Sequence, residues 1–238
     1  MNDQSPPSGT PSADFVAVSL TNGIATITLD RPEVRNAIND QMRAELIAAF
    51  EWADADPEVR GVILTGAGKG FCSGGDIGGM RDRLEAPAGK VAFNGWQRQK
   101  RTHRGIAVIH GMSKPVISAV NGAAFGLGLD MALAGDFIIA ASGAKLCMSF
   151  IKRGLVSDGG GMYFLPRRVG LPKAKELILT GRVVEAEEAS SARQGQKAPS
   201  ARPSFGQLEA GLCRLPDGIG RPLSRTVACQ RRPLWGTS

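Results

Sequence analysis

Two short apolar runs, GVILTG at 61–66 and KPVISAV at 114–120, each lead directly into a glycine-rich segment. The first segment is AGKGFCSGGD. The second is NGAAFGLGLD, which opens an alanine-rich stretch ending at Asp136. Continuous apolar runs of this length, bounded by turn residues, read as strands buried on both faces. A loop between such a strand and a helix is where open α/β sheets place ligands. The second segment also carries a cost that needs a reason. Glycine weakens a helix by roughly 1 kcal/mol relative to alanine. Yet Gly126 and Gly128 stand at a helix start, and Asp130 puts a carboxylate inside the apolar stretch. Either the glycines make a tight turn and Asp130 caps the helix, or the glycines let a backbone N–H approach a substrate oxygen with the acid beside it.

The rest of the chain extends the alternation of strand, loop and helix. FVAVSL (15–20) and IATITL (24–29) alternate and are rich in β-branched residues. Thr21, Asn22 and Gly23 between them predict a hairpin. After the loop DRPEVRNAIND, Asn39 or Asp40 caps a helix running to about Ala53, with Met42, Leu46, Ile47 and Phe50 on one face. Residues 91–110 read as a long, weakly periodic helix, and 136–142 and 145–149 as short strands. GGGMYFLPRRVG and residues 172–179 read as helices, the latter with Pro172 at its first position. VVEAEEAS begins one more helix. The fold class is α/β with buried strands.

The charge is unevenly placed. The net charge is +7, but residues 1–190 hold 21 Lys and Arg against 20 Asp and Glu, and residues 191–238 hold 8 against 2. The basic excess therefore sits in the last segment and argues against a nucleic-acid-binding face. Residues 1–14 are polar and rich in Pro and Ser; they read as a disordered lead rather than a signal peptide. Residues 15–190 form the expected core. Residues 191–238 hold five prolines and no sustained period. They read either as a disordered basic tail or as a GC-rich gene translated out of frame. No apolar run has membrane-spanning length, because Asp130 and Asp136 interrupt the longest candidate.

Several chemistries are excluded by pattern. Cys72, Cys147, Cys213 and Cys229 show no CxxC spacing, so neither a zinc site nor a disulfide framework is expected, and a reducing cytoplasm fits. Cys72 and Cys147 read as small core residues. GAGKGFCSGGD lacks the GK[ST] of a phosphate loop, and GLGLDM lacks the third glycine of a dinucleotide fingerprint. No serine stands in a GxSxG elbow. His103 and His110 read as structural or solvated. What remains is a pair of main-chain donors, one near Gly75 and one near Leu127 at a helix N-terminus. Two such N–H groups converging on one point would hold an oxyanion, with the helix dipole in support.

The segments RPEVRNAIN, FCSGGDI, NGAAFGLGLDMALAGD and RGLVSDGGGMYFLPRRVG, in this order, strongly resemble the crotonase (enoyl-CoA hydratase/isomerase) superfamily over roughly residues 14–190. The resemblance implies a spiral of ββα turns and an acyl-coenzyme A substrate, with coenzyme A as part of the substrate and no separate cofactor. It places the thioester carbonyl between the amides of Gly75 and Leu127. It lines the coenzyme A channel with the loop carrying Glu33, Val34, Arg35 and Ala37, and with Gly75, Asp76, Ile77 and Gly78. It also implies a homo-trimer or hexamer, closed by a C-terminal helical segment that residues 191–238 do not resemble.

Departures from the family pattern bear on the reaction. Hydratases of the family hold water with two glutamates. Here the first position is Asp130 and the second is Phe150, which can do no acid–base work; an acid reappears at Asp158. Related dienoyl-CoA isomerases and aryl-CoA dehalogenases carry an acid at this later position, as proton shuttle or nucleophile respectively. The plainer reading makes Asp158 the cap of a helix starting at Gly159. The expectation is a proton-shift isomerase using Asp158 and Asp130. The alternatives are a hydratase using the same pair, a dehalogenase-like enzyme, and a truncated acyl-CoA-binding remnant with little turnover. Gly78, Met80, Trp96, Phe125, Met148 and Phe150 are candidates for the acyl pocket or for ordinary core.

Overall fold

The structure is a computed structural model that describes residues 9–10, 13–79, 85 and 87–191. The expected tail, most of the lead, Met80, Cys213 and Cys229 lie outside the described residues.

Alternating β-branched residues build the first hairpin. β1 (Val16–Thr21) runs antiparallel to β2 (Ile24–Leu29), with Val16 opposite Leu29 and Thr21 opposite Ile24. Asn22 and Gly23 turn the chain with φ of 51° and 78°. These left-handed conformations at both positions match the right-handed twist of the strands. Parallel pairing then extends the sheet through β3 (Gly61–Gly66), which is buried along its whole length, to β5 (Val116–Val120) and β7 (Phe137–Ala140). The order is β1-β2-β3-β5-β7.

A second, shorter sheet runs β4 (Gly70–Cys72), β6 (Ala123–Phe125), β8 (Lys145–Cys147) and β9 (Val183–Glu185). The chain passes from β3 to β4, from β5 to β6 and from β7 to β8. Each pass leaves one strand in the long sheet and the next in the short one, so the architecture is a stack of repeating turns. Helices connect the passes: α1 (Asp40–Ala55), α2 (Ala88–His110), α3 (Leu127–Ala134), α4 (Gly161–Val169), α5 (Leu171–Thr180) and α6 (Ala186–Ser191). Among the described residues no helix is long and apolar enough to cross a membrane.

Local chemistry explains most boundaries. The Asn39 side chain caps α1 by accepting a bond from the Met42 N–H at 2.8 Å. The apolar face of α1 is buried through Met42, Leu46, Ile47 and Phe50. Cys72 and Cys147 are both buried free thiols, and burial pushes Cys72 up to about 12. Three expectations change. Leu171 is the first residue of α5, so Pro172 takes the second position, where its missing N–H is equally harmless. VVEAEEAS opens with a strand, β9, before α6, because Val183 and Val184 pair with Cys147 and Leu146. The segments GFC and AAF, read as parts of glycine loops, are strands of the second sheet.

The turns stack closely. Gly128, in the first turn of α3, lies so near β4 that an added Cβ would stand 2.8 Å from the Cys72 Cβ, with the Cys72 carbonyl nearer still. Gly95, on α2, has open space where a Cβ would go. The two alanine substitutions should therefore differ in sign. Gly128→Ala should destabilise the protein by about 1–3 kcal/mol through overpacking. Gly95→Ala should stabilise it by up to about 1 kcal/mol through helix propensity. Denaturant unfolding of both variants checks the pair.

Candidate active site

The loop after β2 is fixed by one side chain. Asn36 is fully buried in a left-handed conformation. Its Oδ1 accepts from the Arg31 N–H at 2.9 Å, and its Nδ2 donates to the carbonyls of Ala67, Gly70 and Phe71. This anchors residues 31–38 against the segment between β3 and β4. Main-chain bonds then stitch the same loop to residues 73–76: Ser73 N–H to Arg35 O at 3.0 Å, Ile38 N–H to Gly74 O at 2.8 Å, and Asp76 N–H to Ile38 O at 3.0 Å. In this one-residue parallel bridge the flanking groups of Gly74 and Asp76 face Ile38. The N–H of Gly75 is therefore turned to the opposite edge.

The two loops expected to line a channel thus form one surface. Glu33, Val34, Arg35, Ile77 and Gly78 are exposed on it. Ala37 is buried, and its carbonyl accepts from Arg31 Nη1. Arg31 also pairs with Asp76 at 3.0 Å. Burial works to raise the Asp76 carboxyl, but the Arg31 guanidinium and the Gly78 N–H outweigh it and hold the group below its usual value.

The start of α3 meets this surface. Gly126 precedes the helix with φ +53°, a conformation that costs other residues energy. Its N–H donates to the Cys147 carbonyl at 2.9 Å. Leu127 is the first helical residue, so its N–H has no acceptor within the helix. A Cβ on Gly74, whose own φ is +104°, would lie 3.6 Å from the Leu127 nitrogen. Gly75 and Leu127 therefore belong to backbone segments in direct contact. A Cβ on Gly126 would lie 3.9 Å from the Phe150 ring, so this half-buried ring stands beside the residue that opens α3. Phe125, also half-buried, stands opposite Cys147 in the short sheet. Met148 is core. Trp96 is 55% exposed, with Lys100 over its ring at 4.6 Å.

Asp130 is 0% exposed in the first turn of α3. It is not a cap. Its carboxylate accepts from the Gly159 N–H at 3.0 Å and from the Ser157 hydroxyl at 3.2 and 3.3 Å. Burial pushes it up to about 7; the bonds from Ser157 and Gly159 oppose the shift, and the neighbouring charge of Asp158 adds to it. A Cβ on Gly159 would meet both the Asp130 carboxylate at 2.6 Å and the Leu127 side chain at 2.7 Å. The segment 157–161 therefore wraps tightly over the helix start.

Asp158 lies in that segment, its side chain 27% exposed. The capping alternative fails here as well: α4 begins at Gly161, with Gly160 at the cap position. Instead Asp158 pairs with Arg98 Nη2 of α2 at 3.3 Å, and its carbonyl accepts from Gln99 Nε2 at 3.0 Å. Gln99 also bonds the His103 ring at 2.8 Å. Sequence reasoning passed over Ser157, Arg98 and Gln99. The available signal was the polar spacing of Arg98, Gln99, Thr102 and His103 along one helical side.

Comparisons with known proteins identify the family and the fold. Residues 19–193 match the family described as Enoyl-CoA hydratase/isomerase. The chain is 40% identical over 176 residues to a 1,2-epoxyphenylacetyl-CoA isomerase of Escherichia coli, covering 74% of this chain and 66% of that protein. It is 41% identical over 175 residues to a probable enoyl-CoA hydratase of Rhodobacter capsulatus, covering 74% and 65%. The chain thus spans about two thirds of the length of these relatives. Among solved structures, an enoyl-CoA hydratase from Polaromonas superposes with a TM-score of 0.74 at 35% identity, over 83% of this chain and 76% of that one. One from Mycobacterium avium subsp. paratuberculosis superposes at 0.78 and 26% identity, over 92% and 81%. With the repeating two-sheet turns, the paired glycine loops and the matched segments in the same order, the chain belongs to the enoyl-CoA hydratase/isomerase family and has the crotonase fold.

Proposed function

We propose that the protein binds an acyl-coenzyme A thioester and shifts a proton along the acyl chain of an enoyl- or dienoyl-CoA. The observation that carries this reading is that two unlike carboxylates stand close enough to feel each other's charge where the segment 157–161 wraps over the start of α3. Asp130 is buried and bonded to the Gly159 N–H, and Asp158 is the residue immediately before Gly159. Two acids whose environments differ this sharply suit a proton donor and a proton acceptor.

In the proposed reaction the Asp158 carboxylate removes a proton from a carbon conjugated with the thioester. The bonding electrons move onto the thioester oxygen, giving an enolate. The N–H groups of Gly75 and Leu127 donate to that oxygen, each worth about 3 kcal/mol in the transition state. The proton then returns to a different carbon, from Asp158 or with Asp130 as second donor, and the double bond moves. Phe150 stands beside the residue that opens α3 and keeps water from the enolate. Residues 33–37 and 75–78 would carry the coenzyme A portion, with Arg35 exposed for a phosphate or ribose contact. Proton transfer of this kind needs no further cofactor. Hydration is the second reading, because two adjacent carboxylates can also hold a water molecule.

The deciding experiment follows trans-3-hexenoyl-CoA in deuterium oxide. Isomerisation should give the 2-enoyl product with deuterium at C2 or C4. Accumulation of 3-hydroxyacyl-CoA instead would establish hydration. Asp158→Asn should lower kcat by about 10²-fold or more while acyl-CoA binding survives; near-normal turnover would remove Asp158 from the mechanism.

The raised value of Asp130 has its own signature. Its folded-state value of about 7 stands above the ordinary 3.8. Its contribution to stability is therefore complete below about pH 4 and is lost as pH rises through about 7, at roughly 1.4 kcal/mol per pH unit across that window. Asp130→Asn should flatten this dependence. Unfolding free energies at pH 5 and pH 8 measure the difference.

A further inference from the structure

We infer that Arg98 is a positioning residue for Asp158: the ion pair across 60 residues of sequence aims the carboxylate that the proposed reaction uses. The inference rests on the reading above and goes beyond it, because nothing in the family match assigns a role to α2.

Asp158 stands in an irregular segment between the short helical turn Ser149–Arg153 and α4. Such a segment does not fix a side chain by itself. Two groups from α2 do so. Arg98 Nη2 meets the carboxylate at 3.3 Å, and Gln99 Nε2 holds the carbonyl of the same residue at 3.0 Å. One bond fixes the backbone and the other fixes the side chain. The Arg98 side chain is 18% exposed, so the pair is screened less than an open surface pair.

The charges around Arg98 reinforce this direction. Arg43 of α1 is buried, and loss of solvent lowers its value despite its bond to Asp40. Arg98 and Arg101 lie close enough to add to that lowering by repulsion. Asp40 is engaged by Arg43 at 2.5 Å and by Arg101 at 3.3 Å. Arg98 meets the Asp158 carboxylate, and it lies close enough to Arg43 for the two like charges to repel. The second bond, from adjacent Gln99, gives this contact the geometry of a clamp rather than of a chance surface pair.

A carboxylate displaced by about 1 Å loses about 10²-fold in rate. Arg98→Gln should accordingly lower kcat on trans-3-hexenoyl-CoA by about 10–100-fold, with KM changed by less than about threefold. Arg98→Lys should recover much of the loss. In the Asp158→Asn background, Arg98→Gln should have no further effect, because the residue acts through Asp158. A normal kcat in Arg98→Gln overturns the inference. So does an equal loss in both backgrounds, or a rise in KM alone, which would make Arg98 a substrate contact. If Asp158→Asn itself keeps its activity, the proposed reaction fails first, and that single variant reports it.

A readout independent of turnover accompanies these. The carboxyl carbon resonance of Asp158, identified by its loss in Asp158→Asn, should move in Arg98→Gln and return in Arg98→Lys. A resonance that stays in place in Arg98→Gln overturns the clamp.

Discussion

A bond from the Gly159 N–H to the Asp130 carboxylate, 3.0 Å long, ties the first turn of α3 to the segment that carries Asp158. Much of the site depends on this one contact. Together with the Ser157 hydroxyl, it satisfies a buried carboxylate that would otherwise be an isolated polar group in an apolar helix. It also brings the chain back over the helix start, so that Asp158, Leu127 and Phe150 share one corner of the fold. Gly159 and Gly161 are the residues that permit the approach: a Cβ at either position would run into the Asp130 side chain.

The repeating turns explain how loops far apart in sequence come together. β3 and β5 are neighbours in the long sheet, and β4 and β6 are neighbours in the short one. The segments that follow β4 and β6 must therefore emerge side by side. Those segments hold Gly75 and Leu127. The main-chain bridge between Ile38 and Gly75 adds the loop after β2 to the same surface. The shared surface of these loops is thus a consequence of stacking, with Asn36 as the internal brace that keeps its outermost loop in place.

Much of the fold was legible because its signals are local. The hairpin follows from alternation and an Asn-Gly turn, the buried strands from apolar runs, and α1 from Asn39 and its apolar face. The short strands β4, β6 and β9 escaped notice because three residues carry no period, and GFC and AAF resemble the glycine loops around them. Among the candidate site residues, Gly75, Leu127, Asp130 and Asp158 could be singled out by motif. Arg98 and Gln99 could not, since their partner lies some 60 positions away and α2 has only a weak pattern. The plain capping readings of both aspartates also looked sound in sequence. They fail because the helix beginnings fall at Leu127 and Gly161, with glycine in each cap position.

The sequence alone determined the class of fold, the family, and the residue types that stand at the candidate site: two aspartates, a phenylalanine, and glycines ahead of a short apolar helix. These are matters of composition and spacing along a chain. Only the tertiary structure decided that Asp130 is sealed from solvent and held by Ser157 and Gly159, and that Asp158 is gripped from α2 by Arg98 and Gln99. Burial and ion pairing depend on what stands across space, and neighbours across space are set by how the turns stack.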